Sequence, residues 1–499
     1  MPTSSLAGKV MQGAVIMLLL RWVTRLLGLI SVAITARILT PEDFGVMGTA
    51  TLVLGLLITL KSSGAGEVLV RLPILERSHI DTVWTVRFLM SPLLSIVLFL
   101  VSEPVSSWLN EPRVADVLKV LALIPLIESL ASPAPNMMAR EMAFNRLFYL
   151  RLTVKFVTVI GTVTLAFALR NYWALVLGQL IAALALVLVT HGFWPYLPKL
   201  TLSRIRETGS FTFWSFWRNI AVYLADTVDE FVVRRATGTE QFSHYHASRD
   251  LSRVFITELV AQAAMPLFSA FSKMQDQPER LRAAVTASLG ASAILLAPIG
   301  LLIYATADSL VWLILGPQWG AAAPFLQFLA LGVAAQTLAR MARGVYAAID
   351  KQHISVMVWG LRALVMGIAV SIAIAFGGPL LVTQVFAVTN LVLTFLDLWL
   401  AFRILGGTYP VLILYRGAFV SGLAMMLVLF AIPATLASWP LLDLLVKGIL
   451  GGLAYGISLF LLWRLLGRPQ GPEQALINRL PERARHLLDG RTYPTKTGT

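Results

Sequence analysis

The sequence predicts an all-α polytopic membrane protein, and three observations lead to this fold class. The 499 residues are 57% hydrophobic and only 13% charged, and the mean hydropathy is +0.77. A soluble domain of this size could not bury so much apolar surface. Apolar segments of about 20 residues, the length that crosses a bilayer core of about 30 Å, recur along nearly the whole chain. Short polar stretches separate them, so we expect membrane helices joined by short loops.

About fourteen transmembrane helices are predicted. Their approximate ranges are 13–36, 44–60, 83–101, 115–135, 153–169, 172–193, 213–233, 243–265, 284–305, 321–339, 356–376, 380–401, 414–433 and 441–463. We expect two six-helix lobes, residues 1–200 and 201–405, followed by helices 13 and 14 within 406–466. Residues 467–499 form a basic cytoplasmic tail, which we expect to lie on anionic membrane lipid.

The distribution of basic residues predicts the orientation in the membrane. With the N-terminus inside, 26 Lys and Arg residues fall in the cytoplasmic segments and five in the outer loops. Cytoplasmic loops carry such an excess of Lys and Arg. An even number of spans then places both termini in the cytoplasm. The net charge of +14 has this origin, and we expect no nucleic-acid partner.

The sequence contains few features of an enzyme. It has no cysteine, which excludes disulfides, thiolate metal sites and cysteine nucleophiles. It has no Walker A, G-x-S-x-G or dinucleotide-binding motif, so the chain itself does not use ATP. His244 and His246 resemble a metal pair only superficially, because no further ligands have suitable spacing. We therefore expect no catalysis, no metal and no cofactor.

A weak internal repeat supports transport. "ARILTPEDFG" at 36–45 aligns with "RRATGTEQFS" at 234–243, an offset of 198 residues. Each copy follows the first helix of a predicted lobe. Parallel repeats of this kind are typical of transporters, whose substrate site lies between the lobes near the bilayer midplane. With three identities in ten residues, chance similarity is the alternative explanation.

A polar stripe runs along the first predicted span. Arg21, Arg25, Gly28, Ser31 and Thr35 recur every three or four residues, which places them on one helix face. A charge at the bilayer centre costs about 2.5–3.5 kcal/mol on insertion scales. We therefore expect this stripe to face an aqueous cavity. The alternative is that the two arginines extend to the cytoplasmic surface.

Further arginines lie in other spans. They are Arg87 in span 3, Arg218 in span 7, Arg249 and Arg253 in span 8, and Arg362 in span 11. The planar guanidinium group matches two phosphate oxygens at once. The sequence thus predicts an anion-binding cavity, with Arg21, Arg25, Arg87, Arg218, Arg253 and Arg362 as substrate-binding residues. Any one of them could instead be a structural partner of Glu128, Asp226, Asp229, Asp250 or Glu258.

Carboxylates within the spans allow two interpretations. Asp226, Asp229 and Glu128 could bind Na⁺ or carry a proton, which would make them coupling residues. They could equally form structural pairs with arginine, which we favour for Asp229. Other polar residues in the spans could hydrogen-bond sugars, but they more commonly hold helices together in lipid; they are Gln179, Gln327, Gln336, Gln384, Asn390 and Asp397.

The motifs in these segments resemble those of a known family. "ARILTPEDFGVMGTATLVLGLL" is similar to the first-loop signature A-R-x-L-x-P-x-x-F-G of the polysaccharide flippases. "DEFVVRRATG" at 229–238 resembles their seventh-span pattern D-x5-R-x2-G. The sequence departs from the family at Arg234, where a small residue is usual, and at His244, beside the usual Tyr245.

The resemblance implies a member of the multidrug/oligosaccharidyl-lipid/polysaccharide (MOP) exporter superfamily in the bacterial inner membrane. Its implied substrate is an undecaprenyl-pyrophosphate-linked oligosaccharide repeat unit, translocated by alternating access for polysaccharide export. Lipid II flippases carry functional arginines at places comparable to Arg21 and Arg25. A polysaccharide polymerase and a chain-length regulator are the implied protein partners. Two alternatives are a multidrug or cation antiporter of the superfamily and a membrane-embedded polysaccharide polymerase or ligase.

Overall fold

The computed structural model describes residues 6–61, 69, 72, 74–205, 212–274, 277–348, 352–406, 411–433 and 438–467. We number its helices in chain order. They are α1 Leu6–Ile38, α2 Pro41–Lys61, α3 Arg77–Leu109, α4 Arg113–Leu121, α5 Leu123–Ser129, α6 Ala134–Arg140, α7 Phe144–Leu169, α8 Trp173–Phe193, α9 Thr212–Ala236, α10 Thr239–Lys273, α11 Pro278–Ala305, α12 Ala307–Ile314, α13 Ala323–Ala348, α14 Gln352–Ile404, α15 Val411–Ala431 and α16 Pro440–Leu465. A 3-10 turn at Pro317–Ala322 joins α12 to α13. The cytoplasmic tail predicted at 467–499 lies outside the described residues from 468 onward.

The predicted all-α polytopic membrane class is confirmed. The described residues contain nine helices that are long and apolar enough to cross a membrane, together with a shorter apolar helix at Tyr415–Ala431. Many of their large apolar side chains are exposed, including Leu188, Phe376 and Phe430. An exposed apolar surface of this extent is suited to contact with lipid chains.

The fourth predicted span is not one continuous helix. Helix α4 ends at Leu121, and α5 begins at Leu123. Pro125 explains the break, because proline cannot donate to the carbonyl four residues earlier and its ring clashes with that carbonyl. The predicted spans 11 and 12 both lie in α14. A kink at Gly378 divides them, and its φ of 70° suits glycine.

The chain forms two compact units. Unit 1 comprises residues 1–247, 311–322 and 359–382, and unit 2 comprises 248–310, 323–358 and 383–499. The core of unit 1 includes buried Val46, Leu98, Leu118 and Val176, from α2, α3, α4 and α8.

A separate core in unit 2 joins α11, α15 and α16. It includes buried Ile294, Met425, Leu429 and Tyr455. The Tyr455 hydroxyl donates to the carbonyl of Ile294 at 2.9 Å. This bond satisfies the one polar group that the tyrosine brings into the cluster.

Candidate functional site

The first-loop motif begins α2 with a reciprocal cap. The backbone N–H of Thr40 donates to Asp43 Oδ2 at 2.9 Å, and the Asp43 N–H donates to the Thr40 hydroxyl at 3.2 Å. Pro41 occupies the first helical position, where a missing N–H costs nothing. The other oxygen of Asp43 accepts the Tyr172 N–H at 2.9 Å. The T-P-E-D part of the motif therefore fixes both the start of α2 and the start of α8.

The same motif packs closely against the turn between α9 and α10. A Cβ on Gly45 would lie 2.3 Å from the Thr239 carbonyl oxygen, so only glycine fits there. The Phe44 ring meets Trp319 edge-on, with centroids 5.2 Å apart. Arg37 donates to the last carbonyls of α12, those of Leu313 and Ile314. The two copies of the internal repeat, 36–45 and 234–243, thus pack together within unit 1.

Buried Glu111, between α3 and α4, is the centre of an ion-pair network at this end of unit 1. Arg113 donates to its two oxygens at 2.7 and 3.0 Å and to Glu42 at 2.6 Å. The Thr239 hydroxyl also donates to Glu111. Arg234 lies 3.8 Å from the same carboxylate and donates to Thr49 at 2.7 Å. We call Glu42, Glu111, Arg113, Arg234 and Thr239 the outer-end cluster, because the predicted topology places them on the outer side.

The electrostatics of this cluster follow from its partners. Burial raises the pKa of Glu111, but hydrogen bonds from Arg113 and Thr239 and the nearby positive charges outweigh it, so the pKa lies below the ordinary value. The hydrogen bond to Glu111 is the main reason that the pKa of Arg113 is raised. Both groups therefore stay charged at neutral pH.

Two buried carboxylates on α9 contact α10. Asp229 accepts a hydrogen bond from the Tyr245 hydroxyl at 2.7 Å, and Glu230 lies 2.5 Å from His246 Nδ1. Both carboxylates are fully buried. The His246 ring occupies the space beside Gly48 of α2, where a Cβ would come within 2.7 Å of it. These pairs join three helices of unit 1.

The polar stripe of α1 has a basic partner on α7. Arg21 is exposed and Arg25 is half-buried. Half-buried Lys155 crosses α1 at Gly28, and its Nζ lies 3.3 Å from where a Cβ on Gly28 would stand. The charge of Arg25 acts on Lys155 through space. Two cations therefore approach each other on apolar helices of unit 1.

Arg87 and Glu128 lie near each other elsewhere in unit 1. Arg87 donates to the carbonyls of Ser129 and Ala131 at the C-terminal end of α5, the end that favours a cation. Glu128 lines an open pocket of about 270 Å³ whose other walls are apolar, among them Leu54 and Leu94. Arg87 thus has a structural contact in addition to any binding role.

Unit 2 contains a second basic set, on α10 and α13. The guanidinium of Arg249 is fully buried, with its carbon 4.1 Å from the centroid of the Phe386 ring. Arg249 and Arg340 donate to the same oxygen, Gln336 Oε1, at 3.5 and 3.4 Å. Arg340 also reaches the Thr257 hydroxyl at 3.5 Å.

Arg253 follows Arg249 by one helical turn. It contacts Asp250 at 3.4 Å, and its side chain is 23% exposed. Residues 249 and 257, four positions before and after Arg253, both contact α13. Arg253 is therefore on the α10 face that contacts α13.

The remaining predicted residues lie on α9 and α14. Buried Arg362 has its guanidinium carbon 5.5 Å from the Trp359 ring centroid, and Asp226 is half-buried. Arg218 lies in α9, but its side chain, like that of Glu258, is outside the described residues. Within those residues, no group of three or more His, Asp or Glu side chains is placed to hold a metal ion.

Sequence reasoning missed several members of these sets. Lys155 and Arg340 are not among the predicted substrate-binding residues, although the i, i+4 pair Arg151 and Lys155 repeats the spacing of Arg21 and Arg25. Glu111 and Glu230 carried no distinguishing signal, because their partners lie far away in the sequence.

A comparison with known protein families identifies the family of this chain. A model of the polysaccharide biosynthesis protein family matches residues 34–324, from the first-loop motif to the start of α13. The chain belongs to this family. The matched range includes every member of the outer-end cluster and both copies of the repeat. The predicted family assignment is therefore confirmed.

Two curated relatives come from bacteria. The succinoglycan biosynthesis transport protein ExoT of Rhizobium meliloti (strain 1021) is 25% identical over 60% of this chain and 62% of its own. The lipopolysaccharide biosynthesis protein WzxC of Escherichia coli (strain K12) is 24% identical over 61% of this chain and 62% of its own. The match thus spans less than two thirds of the length of each relative.

Solved structures identify the fold. The lipid II flippase MurJ in an inward closed conformation superimposes with a TM-score of 0.71, covering 90% of this chain and 99% of MurJ at 14% identity. An inward-facing MATE transporter of the MOP superfamily gives a TM-score of 0.64, covering 77% and 94% of the two chains at 14% identity. The chain therefore has the fold of these two transporters, and it is a multi-pass membrane protein.

Proposed function

We propose that this protein is a flippase that translocates undecaprenyl-pyrophosphate-linked oligosaccharide repeat units across the bacterial inner membrane for polysaccharide export. The family, the names of the relatives and the MurJ-like fold support transport of a lipid-linked polysaccharide precursor. The same observations favour a transporter over a catalytic enzyme.

One observation supports a substrate with a diphosphate linkage. Basic side chains on long helices are half-buried or buried in both units: Arg25 and Lys155 in unit 1, and Arg249 and Arg340 in unit 2. Cations within a membrane are expensive unless they meet water or an anion. A diphosphate linkage supplies such an anion, while the isoprenoid tail remains in lipid. A transporter of cationic drugs would instead require acidic side chains in its binding cavity.

Alternating access is the proposed mechanism. In one state the outer-end cluster closes the outer side, through the ion pairs of Glu111 and the close approach of Gly45 to Thr239. Opening toward the outside breaks these contacts, so their charges must be hydrated in the open state. Asp226, Asp229 and Glu128 remain the proposed coupling or structural residues, with Na⁺ or a proton as the coupling ion.

The proposal includes the membrane context. Both termini lie in the cytoplasm, as the 26 basic residues in the cytoplasmic segments predict. A polymerase and a chain-length regulator act on the units after translocation and are the proposed partners in the pathway.

The proposed function is tested by replacing Arg25 with alanine in the native host. We expect polysaccharide export to be lost while the amount of protein in the membrane is unchanged, with lipid-linked units accumulating in the cell. The matched control is Arg146→Ala, an exposed arginine on α7, which we expect to export normally. Normal export by Arg25→Ala would refute the role of α1, and normal export after deletion of the gene would refute the function.

A further inference from the structure

The chain between α8 and α9 lies along the first turns of α3 in unit 1. Its described part is residues 194–205, which we call the connecting segment. Buried Asp81 of α3 accepts hydrogen bonds from the Tyr196 hydroxyl and from the Lys199 N–H, the latter at 3.1 Å. Further hydrogen bonds with the start of α3 join Thr201 to Thr85 and Arg204 to Thr82 and Glu76. The connecting segment is therefore held against α3 along most of its length.

These hydrogen bonds turn one side of the connecting segment toward α3 and leave its aliphatic side chains outside. Leu197 is 83% exposed and Leu200 is 70% exposed. Leu202 and Ile205 are exposed as well. Large apolar side chains that are exposed together indicate a surface that contacts lipid or another protein rather than water.

The length of α8 places the connecting segment at the membrane surface. This helix has 21 residues, so at 1.5 Å per residue it is about 30 Å long, which is the thickness of the hydrocarbon core. The connecting segment begins directly after Phe193, the last residue of α8, and therefore lies where the chain leaves the core. The distribution of basic residues predicts that this side is cytoplasmic.

Basic side chains lie beside the exposed leucines. Lys199 is exposed, and the connecting segment contains no acidic residue. Arg77, in the first turn of α3, has a side chain that is 63% exposed; it donates to the Leu197 carbonyl at 3.0 Å and lies 3.9 Å from Asp81. Long basic side chains at such a position contact lipid headgroups while their aliphatic parts pack on apolar surface.

We propose that the connecting segment binds anionic phospholipid of the cytoplasmic leaflet. Its four exposed aliphatic side chains enter the acyl-chain region, while Lys199 and Arg77 contact the phosphate groups. Binding at an interface gains from both the buried apolar area and the attraction to anionic lipid. The hydrogen bonds to α3 hold the segment in place beforehand, so little entropy is lost when lipid binds. This site goes beyond the proposed function, because its ligand is the surrounding membrane and not the transported molecule.

The first test locates the connecting segment relative to the membrane. Because the chain has no cysteine, Leu200→Cys in the full-length protein gives a single site for an environment-sensitive fluorophore. The labelled protein is reconstituted into vesicles of phosphatidylcholine and phosphatidylglycerol. We expect the emission to shift to shorter wavelength and to be quenched by lipids that carry a quencher on the acyl chain. Iodide, present on both sides of the membrane, should quench it weakly.

The matched control is Glu141→Cys, at an exposed position between α6 and α7 of the same unit. We expect iodide to quench this probe and the acyl-chain quencher to have little effect. If iodide quenches the probe at position 200 as strongly as the control, the segment lies in water and the proposal is overturned. If neither quencher reaches that probe, a protein surface covers the segment, which would also overturn it.

The second test measures the preference for anionic lipid. A quencher attached to phosphatidylglycerol should reach the probe at position 200 more effectively than one attached to phosphatidylcholine. Lys199→Gln should reduce this preference by up to about fivefold, the contribution of one basic residue near an anionic surface. Lys199 is exposed, so its replacement should not affect folding.

The control for this charge is Arg146→Gln, at an exposed position on α7. We expect it to leave the preference for phosphatidylglycerol unchanged. Equal quenching by the two labelled lipids, or a preference that Lys199→Gln and Arg146→Gln alter to the same extent, would overturn the recognition of anionic lipid by the connecting segment.

Discussion

Arginine side chains have different acceptors in the outer-end cluster of unit 1 and in unit 2, where Arg249 and Arg340 form a pair. In the cluster, buried Glu111 receives two hydrogen bonds from Arg113, at 2.7 and 3.0 Å, and lies 3.8 Å from Arg234. In the pair, Arg249 and Arg340 share the neutral oxygen of Gln336 at 3.5 and 3.4 Å. The acceptor that the arginines share is therefore a carboxylate in the first region and an amide oxygen in the second.

The matched charges indicate a structural role for the arginines of the cluster. A matched pair gains its energy within the protein, so its role is to hold helices together, and removing one partner leaves a buried charge. We therefore expect mutations in the cluster to change the stability of the protein.

The largest loss of stability is expected from Glu111→Ala. It leaves Arg113, Arg234 and Thr239 without their common acceptor, and we expect a cost of about 2–3 kcal/mol because the partially exposed Arg113 recovers some hydration. The thermal unfolding midpoint of the purified protein measures it.

The control for Glu111→Ala is the exposed pair of Lys119 and Glu103. Glu103→Ala should lower the unfolding midpoint much less than Glu111→Ala, as is usual for surface pairs. Equal effects of the two substitutions would contradict the distinction between the buried carboxylate of Glu111 and an exposed ion pair.

A smaller loss is expected from Gly45→Ala. The added Cβ would stand 2.3 Å from the Thr239 carbonyl, so the start of α2 and the turn before α10 must separate, at about 1–3 kcal/mol for overpacking. In the native state, one cysteine placed at the start of α2 and one in that turn should cross-link more slowly when Gly45→Ala is present.

Gly238→Ala provides the comparison for this effect. Gly238 is in the turn that contacts Gly45, but a Cβ there would meet nothing within 4 Å. We expect unchanged stability and cross-linking. If Gly238→Ala were as harmful as Gly45→Ala, loss of glycine flexibility rather than the close contact would be responsible.

The smallest effect concerns pH. The pKa of Glu111 is lowered in the folded protein, from a reference of 4.5. Its contribution is therefore complete above the unfolded value and is lost as the pH falls through the lowered value. The difference in unfolding midpoint between wild type and Glu111→Gln should be constant near neutral pH and shrink below about pH 4.5. A difference that grows on acidification would show the opposite linkage.

Much of the fold could be predicted from the sequence because membrane helices are long apolar segments. The break in the fourth span was missed, because the span was predicted from its apolar composition and Pro125 interrupts the helix without changing that composition. The first-loop motif was identified as a signature, and the structure gives each position a physical task. Thr40 and Asp43 cap α2, and Gly45 permits the contact with Thr239.

The candidate site could be predicted only in part. Arginines within predicted spans, such as Arg25 and Arg253, can be recognised from the sequence alone, because burying a charge in the membrane is unfavourable whatever its neighbours are. Their partners are not, because Gln336 and Arg340 meet Arg249 only through the packing of α10 on α13. Lys155 was missed because the predicted span begins at 153, which places Lys155 at the end of the helix, whereas α7 begins at Phe144 and Lys155 lies well inside it.

The most direct measurement of the central claim compares two substrates in proteoliposomes containing the purified protein. One is an isoprenoid-linked oligosaccharide with a diphosphate linkage, and the other has the same tail and sugars joined by a neutral linkage. If buried cations recognise the linkage, the wild type moves only the diphosphate form between leaflets, and Arg25→Ala moves neither. Movement of the neutral form at the same rate would contradict the account.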